Sequence, residues 1–263
     1  MIIVKIGGGD SININGIIAD LAGLDDPFII VHGANALRDK LAQDLGQPKQ
    51  VLTSVKGYTS VYSDEKLLDV MMMAYAGLRN KRIVESCHQH GINAVGLSGI
   101  DGKVVQGRRN SGIRVYQGKK LKIVRDFSGK PQSVNTPLLQ LLLDNGYVPV
   151  LTVPIIDEQN TAINTENDDV VRVLQQALHA DMIINLIGAP GFLENKDDAS
   201  SLIENIAAAE LEAREQQVDG RMRRKMLAVR KLFEHGASRV VIGDGRTEHP
   251  VADALAGKGT VIT

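Results

Sequence analysis

Short apolar runs, each closed by glycine, alternate along this chain with stretches of helical spacing, and that alternation constrains the fold more than any other feature. Met1-Ile2-Ile3-Val4-Lys5-Ile6 ends in Gly7-Gly8-Gly9, a β-branched strand pattern entering a loop where backbone must approach something closely. Ile14, Ile17, Ile18 and Leu21 share a helical face, Phe28-Ile29-Ile30-Val31 reads as a second strand closed by His32-Gly33, and a helix is predicted over about 34–45. A long helix is predicted over about 64–90, with Gly91 at its C-terminal cap, followed by a strand at Ala94-Val95-Gly96-Leu97. From 101 to 127, apolar residues alternate with charged ones and glycine recurs every few positions, which predicts a set of antiparallel β-hairpins. Further helices are predicted at about 134–145, 168–179, 207–214, 221–235 and 249–256, and strands at about 147–153, 182–187, 239–242 and 259–262. The polar stretch 194–219 reads as a mobile surface connection between sheet strands. Strands separated by helices define an α/β fold, a mostly parallel sheet wrapped on both faces.

Charge and composition exclude several classes. Thirty Lys and Arg against thirty-one Asp and Glu leave a formal charge of −1, so no global basic field argues for nucleic acid or an anionic membrane. With four Phe, five Tyr and no Trp, stacking on single-stranded nucleic acid is not expected either. No apolar run approaches the ~18 residues of a spanning helix, and the start lacks the features of a signal peptide. A cytoplasmic location is the expectation. Cys87 is the sole cysteine, which excludes an internal disulfide and any CxxC site. His88 and His90 nearby stand two apart and do not share a helix face, so no metal site is expected there. Met71-Met72-Met73 reads as helix core or dimer packing. The 263 residues read as a single domain.

Glycine turns at strand ends of an α/β sheet bind phosphates, because loop and helix N-termini point N–H groups at an anion. Neither GxxxxGK[ST] nor a GxGxxG after a strand is present. In their place Lys5 closes a strand just before Gly7-Gly8, where an ammonium can hold a transferring phosphoryl oxygen. Asn164-Thr165-Glu166-Asn167-Asp168-Asp169 opens a predicted helix, and carboxylates beside a bound anion must orient cations or lysines. Asp219-Gly220-Arg221-Met222-Arg223-Arg224-Lys225 turns into another, bringing a second lysine to its first turns. Two lysines bridged by an aspartate fit phosphoryl transfer, where catalysis is mostly positioning and charge neutralisation.

The order Lys5-Ile6-Gly7-Gly8, Val31-His32-Gly33, Asn164-x-x-x-Asp168 and Gly220-x-Met222-x-x-Lys225, with Asp244-Gly245-Arg246 and Gly257-x-Gly259-Thr260, resembles the amino acid kinase family over essentially the whole chain. Within it the chain is most similar to acetylglutamate-kinase-like enzymes. Asn80-Lys81-Arg82-Ile83-Val84, the run Gly91 to Gly102, and Gly107-Arg108-Arg109 look like the branch that phosphorylates aminoadipate or glutamate attached to an acidic amino-group carrier protein.

The resemblance implies a three-layer αβα sandwich with β-hairpins over the acceptor site, residues 1–178 mainly binding acceptor and 179–263 mainly binding ATP. It makes Lys5 and Lys225 stabilisers of the transferring phosphoryl, Asp168 the orienter of both, and Gly7 and Gly8 the phosphate-binding glycines. Gly33, Ala34 and Asn164 would bind the acceptor. Val61 stands where the family carries an Arg for the acceptor's α-carboxylate, so either Lys56 supplies the charge or the acceptor has no free carboxylate there. Gly188, Gly191, Gly220 and Met222 would line the ATP site, with Mg²⁺ held largely by phosphate oxygens and water. Arg108, Arg109 and Arg114, with Lys119, Lys120 and Lys122, would dock the carrier. Without an N-terminal helix of the hexameric relatives, a homodimer through the 64–90 helix is expected. The implied activity is ATP-dependent formation of an acyl phosphate on a carrier-linked, aminoadipate- or glutamate-like carboxylate. An N-acetylglutamate kinase and a non-catalytic nucleotide-binding regulator are the alternatives.

Overall fold

The computed structural model describes the chain except Lys56, Tyr58, Lys119, Lys196, Val218 and Asp219, and describes only the backbone of Gln117 and residues 220–225. Eight strands, numbered along the chain within the central sheet, are β1 (Ile2–Ile6), β2 (Phe28–His32), β3 (Ala94–Ser98), β4 (Val148–Thr152), β5 (Met182–Ile187), β6 (Asn205–Ile206), β7 (Val240–Asp244) and β8 (Thr260–Ile262). Their spatial order is β6-β8-β7-β5-β1-β2-β4-β3. Neighbours run parallel except for β7 against β8.

Period-two geometry explains how such apolar strands stay buried on both faces. Ile3, Ile29, Val31, Leu151, Ile183 and Ile242 join one cluster with residues of the Glu65–Met71, Thr136–Asp144, Asn167–Leu178 and Gly220–Glu234 helices. Ile2, Val4, Ile6, Ile30, Val150, Ile184 and Val241 join the opposite cluster with the Ile14–Leu21, Asn80–Gln89 and Pro250–Leu255 helices. Each fully buried Ile contributes roughly 1.5–3 kcal/mol, so a register slip of one residue would exchange the two layers. The result is the expected three-layer αβα sandwich.

Three expectations need correction. The 64–90 helix is not uniform: α-helix Glu65–Met71 passes through wider π turns at Met72–Arg79 into α-helix Asn80–Gln89. Apolar spacing does not distinguish an i→i+5 ladder from an i→i+4 one over so few turns. Met71 is buried while Met73 is 46% exposed, so the methionine run is divided between core and surface. Gly91 does lie just beyond the helix, at φ +77°.

The 101–127 segment is one hairpin inside a larger pairing rather than a series of hairpins. Val105–Arg109 pairs antiparallel with Gly129–Val134, outside the predicted region, and encloses the Ile113–Gln117/Lys120–Val124 ribbon. Lastly, the polar 194–219 stretch contributes the edge strand β6 to the sheet, and the helix predicted at about 207–214 is found at Leu211–Gln217. A two-residue strand is too short to show alternation.

Candidate active site

Lys5 interrupts the apolar alternation of β1 on the face it shares with Ile3. Parallel register sets it beside Asn185 of β5 and Val31 of β2. β1 has β2 on one side and β5 on the other, so the chain's two halves diverge from it. In open α/β sheets the ligand crevice lies beyond the carboxyl ends of strands at such a switch point.

There Lys5 Nζ meets Asp168 Oδ1 at 3.0 Å, with side chains 11% and 29% exposed. Asp168 and Asp169 occupy the first turn of the Asn167–Leu178 helix, where unsatisfied N–H groups favour carboxylates. The N-cap is Glu166, whose side chain makes no capping bond, so Asp168 is not simply a cap. Asp169 instead pairs with Lys130 at 2.5 Å.

Asn185 was not legible from sequence. It is 8% exposed, and its Oδ1 has no hydrogen-bond partner among the described residues. With Lys5 and Asp168 it lines a cavity of about 10 Å³ under the Ala228–Leu232 part of the Gly220–Glu234 helix. That volume suits one water molecule. The signal available in sequence was a lone polar residue inside an otherwise apolar strand, Met182-Ile183-Ile184-Asn185-Leu186-Ile187.

The glycines bring two loops together. A Cβ on Gly8 would lie 2.2 Å from Asn35 Oδ1 and 2.7 Å from Ala34 N, and one on Gly33 would lie 3.0 Å from Gly8 N. Ala36 N donates to Gly8 O at 3.0 Å, and Gly33 N to Ile6 O at 2.9 Å. Gly7 differs from Gly8 because its N–H is already committed to Leu186 O at 2.9 Å. His32 supports this junction from beneath. Asn80 Nδ2 faces its Nε2 at 3.1 Å, which places the imidazole proton on Nδ1. Burial pushes its pKa down to about 3, so it is neutral at neutral pH.

Around Asn164 and Ser63 the organising group is Asp126, 2% exposed. Its carboxylate accepts from Ser63 N at 3.1 Å and from Ser128 N and Oγ at 3.1 and 2.6 Å. Ser63 Oγ in turn receives Asn164 Nδ2 at 2.9 Å, and Asn164 N donates to Phe127 O at 2.7 Å. Val61, half-buried against the core, ends the short Thr59–Val61 strand beside this cluster. Arg109 belongs to the same support: its Nε donates to Asp126 O at 2.8 Å, and its guanidinium stacks 3.9 Å over Phe127. Arg108 and Arg114 are exposed.

On the opposite side Gly188 and Gly191 follow β5. A Cβ on Gly191 would meet Leu202 Cδ1 at 2.6 Å and Thr260 Oγ1 at 2.7 Å, so this turn packs directly on β8. Arg246 Nη2 lies 2.7 Å from Asp244 Oδ2 and holds that carboxyl below the usual range. Gly220, Met222 and Lys225 lie in the first two turns of the Gly220–Glu234 helix. The Lys225 and Met222 side chains, and Lys56 altogether, fall outside the described residues. Among the described residues no three His, Cys, Asp or Glu are grouped to hold a metal, and no helix is long and apolar enough to cross a membrane. Cys87 is buried, which pushes its thiol up to about 12.

A switch-point lysine paired with a helix-first-turn aspartate, together with a tight glycine junction, has the parts that phosphoryl transfer needs. Residues 1–244 match the Amino acid kinase family, and the chain belongs to that family. Membership of a kinase family implies use of ATP. The chain is 39% identical over 268 residues to [LysW]-aminoadipate kinase of Thermus thermophilus, covering 100% of both. It is 31% identical over 264 residues to acetylglutamate kinase of Methanopyrus kandleri, again covering 100% of both. Its fold is similar to that of a carbamate kinase from Giardia, with a TM-score of 0.67 at 16% identity over 99% of this chain and 97% of that one.

Proposed function

We propose that this protein phosphorylates the side-chain carboxylate of an aminoadipate- or glutamate-like acceptor whose amine is masked by a small acidic carrier protein, forming an acyl phosphate for amino-acid biosynthesis. The observation that carries the reading is the Lys5–Asp168 pair at 3.0 Å, set in a chain that matches a [LysW]-aminoadipate kinase from end to end. The full-length match to an acetylglutamate kinase supports a second reading, in which the acceptor is free N-acetylglutamate. A catalytic lysine held by its aspartate argues against a non-catalytic regulator.

The acceptor carboxylate is ionised at neutral pH and is itself the nucleophile, so no side chain has to remove a proton. One of its oxygens attacks the γ-phosphorus of ATP, the bond to the bridging oxygen breaks, and the electron pair leaves with ADP. In this reading Lys5 and Lys225 neutralise the equatorial charge, Gly8 donates its backbone N–H, and Asp168 keeps the lysines aimed. With Gly7 N–H committed to Leu186 O, Gly7 serves by fixing the loop. Gly33 and Ala34 crowd the acceptor toward the phosphate, and Asn164 receives the masked end. Val61 in place of a cation suits an acceptor without a free α-carboxylate, with Lys56 as the alternative source of charge.

The half up to residue 178 carries the acceptor and the half from 179 carries ATP, the latter through Gly188, Gly191, Gly220 and Met222. Mg²⁺ would supply charge neutralisation on the phosphates; Asp168, Asp169 and Asp244 pair with Lys5, Lys130 and Arg246, which suits an ion held by phosphate and water. Exposed Met73 and Leu78 on the 65–89 helical stretch support a homodimer through that element.

The test is ATP- and Mg²⁺-dependent hydroxamate formation with free glutamate, N-acetylglutamate, aminoadipate and carrier-linked forms of the same amino acids. Turnover confined to carrier-linked acceptors is expected. Turnover with free N-acetylglutamate instead would select the second reading, and no turnover with any of them would refute both.

A further inference from the structure

Asparagine is favoured at a helix N-cap, where its side chain accepts from the N–H groups of the first turn. Asn167 stands one residue further on. The cap of the Asn167–Leu178 helix is Glu166, so the Asn167 amide, on the first helical residue, is free of capping work. It is half-buried, and its Oδ1 is shut off from solvent with no hydrogen-bond partner among the described residues. Its Nδ2 donates to none of them either. An unpaired amide in so enclosed a place costs stability, and beside a reacting centre it calls for a partner that the chain does not itself supply.

The glycine junction gives that partner its place. A Cβ added to Gly33 would lie 3.7 Å from Asn167 Nδ2 and 3.0 Å from Gly8 N, so the amide borders the same spot as the Gly8 N–H. Gly8 N, unlike Gly7 N, donates to no acceptor among the described residues. The residue after Asn167 is Asp168, which holds Lys5 at 3.0 Å. Two uncommitted N–H donors and an ammonium thus gather at one end of the crevice, and such a set receives an anion. Donors placed on the acceptor carboxylate would weaken it as a nucleophile. On the phosphoryl group they strengthen as transfer proceeds, which is where a donor accelerates the reaction.

We infer that Asn167 is a further catalytic residue, its Nδ2 donating beside the Gly8 N–H to an equatorial oxygen of the phosphoryl group in transfer; this rests on the phosphoryl-transfer reading above. No bond to Asn167 forms or breaks. The acceptor oxygen gains its bond to phosphorus, the bond to the bridging oxygen breaks and its electron pair leaves with ADP, while the amide keeps both its protons. A neutral amide directs the phosphoryl group without changing the charge balance that the lysines set. A carboxylate in the same place would turn lone pairs toward the phosphoryl oxygens, although the first turn of a helix favours negative charge. Function and stability therefore ask for different residues at position 167.

The experiment measures kcat, KM and urea unfolding for the wild type, Asn167→Ala and Asn167→Asp, with aminoadipate-loaded carrier and free N-acetylglutamate offered in turn. Asn167→Ala should lower kcat about 10²-fold, the order for one transition-state donor, with KM for ATP and acceptor held within about twofold. Because the amide does not titrate, the loss should be the same at every pH. Asn167→Asp should unfold at no lower urea concentration than the wild type, yet lose at least as much kcat as Asn167→Ala. ADP with magnesium and aluminium fluoride, a mimic of the phosphoryl group in transfer, should bind both variants more weakly, while ADP alone binds them as it binds the wild type. Full kcat in Asn167→Ala, or a fall in both variants matched by earlier unfolding, would overturn the assignment and leave the function standing. A raised KM for acceptor with kcat kept would also overturn it, in favour of a role in holding the acceptor. No turnover of either acceptor by the wild type would overturn the function and the assignment together.

Discussion

Two regions of the molecule, the Lys5–Asp168 centre and the Ile113–Gln117/Lys120–Val124 ribbon, are built on opposite principles. At the Lys5–Asp168 centre a charge sits inside an apolar sheet, and its position is fixed by register: one strand residue, one helix turn and a backbone junction that tolerates no Cβ at Gly8. At the ribbon, apolar side chains sit in solvent, and two residues beyond it a single buried carboxylate, Asp126, ties Ser63 to Ser128. In both places side chains depart from the polarity of their surroundings, inverted from one to the other. The first kind resists change because everything around it is packed. The second can vary in sequence at little cost to the fold, because its side chains face solvent.

The largest expected effect belongs to the packed side. Lys5→Met should lower kcat by about 10²–10³, the order for removing one transition-state donor, with the far-ultraviolet circular dichroism spectrum unchanged. Gly8→Ala should do damage of another kind. Its Cβ would collide with Asn35 Oδ1 and Ala34 N, so a loss of about 1–3 kcal/mol in urea unfolding should accompany the fall in activity.

Asn185→Leu separates stability from catalysis. Replacing a buried amide whose Oδ1 has no partner among the described residues by an apolar group should leave stability unchanged or raise it by about 1 kcal/mol, yet kcat should fall about tenfold if Asn185 helps aim Lys5. A variant that is both more stable and fully active would reduce Asn185 to filler. Leu121→Ser/Ile123→Ser, on the exposed side, should change unfolding free energy by no more than about 0.5 kcal/mol per substitution.

Acid titration probes the packed side in a further way. His32 has its pKa lowered by burial to about 3, so between the unfolded value of about 6.5 and that value the unfolded chain binds the extra proton. Its contribution to stability is complete above pH 6.5 and is lost as pH falls toward 3, at up to about 1.4 kcal/mol per pH unit. His32→Asn should flatten the measured slope over that window; an unchanged slope would show that His32 is not buried neutral.

Strand parity made the sheet legible, since Ile2 to Ile6 and Phe28 to Val31 have few ways to be buried other than on two faces. The Gly91 helix end was legible for the same reason, one residue with one backbone conformation. Asn185 escaped notice because a single polar residue in a short apolar run does not declare whether it faces a core or a site. Asp126 escaped because its partners, Ser63 and Ser128, are brought together only by tertiary pairing. The ribbon's inversion was hidden in a pattern that alternates equally well with either face outward; only the burial of Val115 fixes the direction.

The most direct test of the central claim is single-turnover acyl phosphate formation, trapped as hydroxamate, by wild type and Lys5→Met at saturating carrier-linked acceptor. The account predicts rapid hydroxamate formation by the wild type and a loss of at least a hundredfold in Lys5→Met with ATP still bound. Equal rates in the two proteins would contradict it.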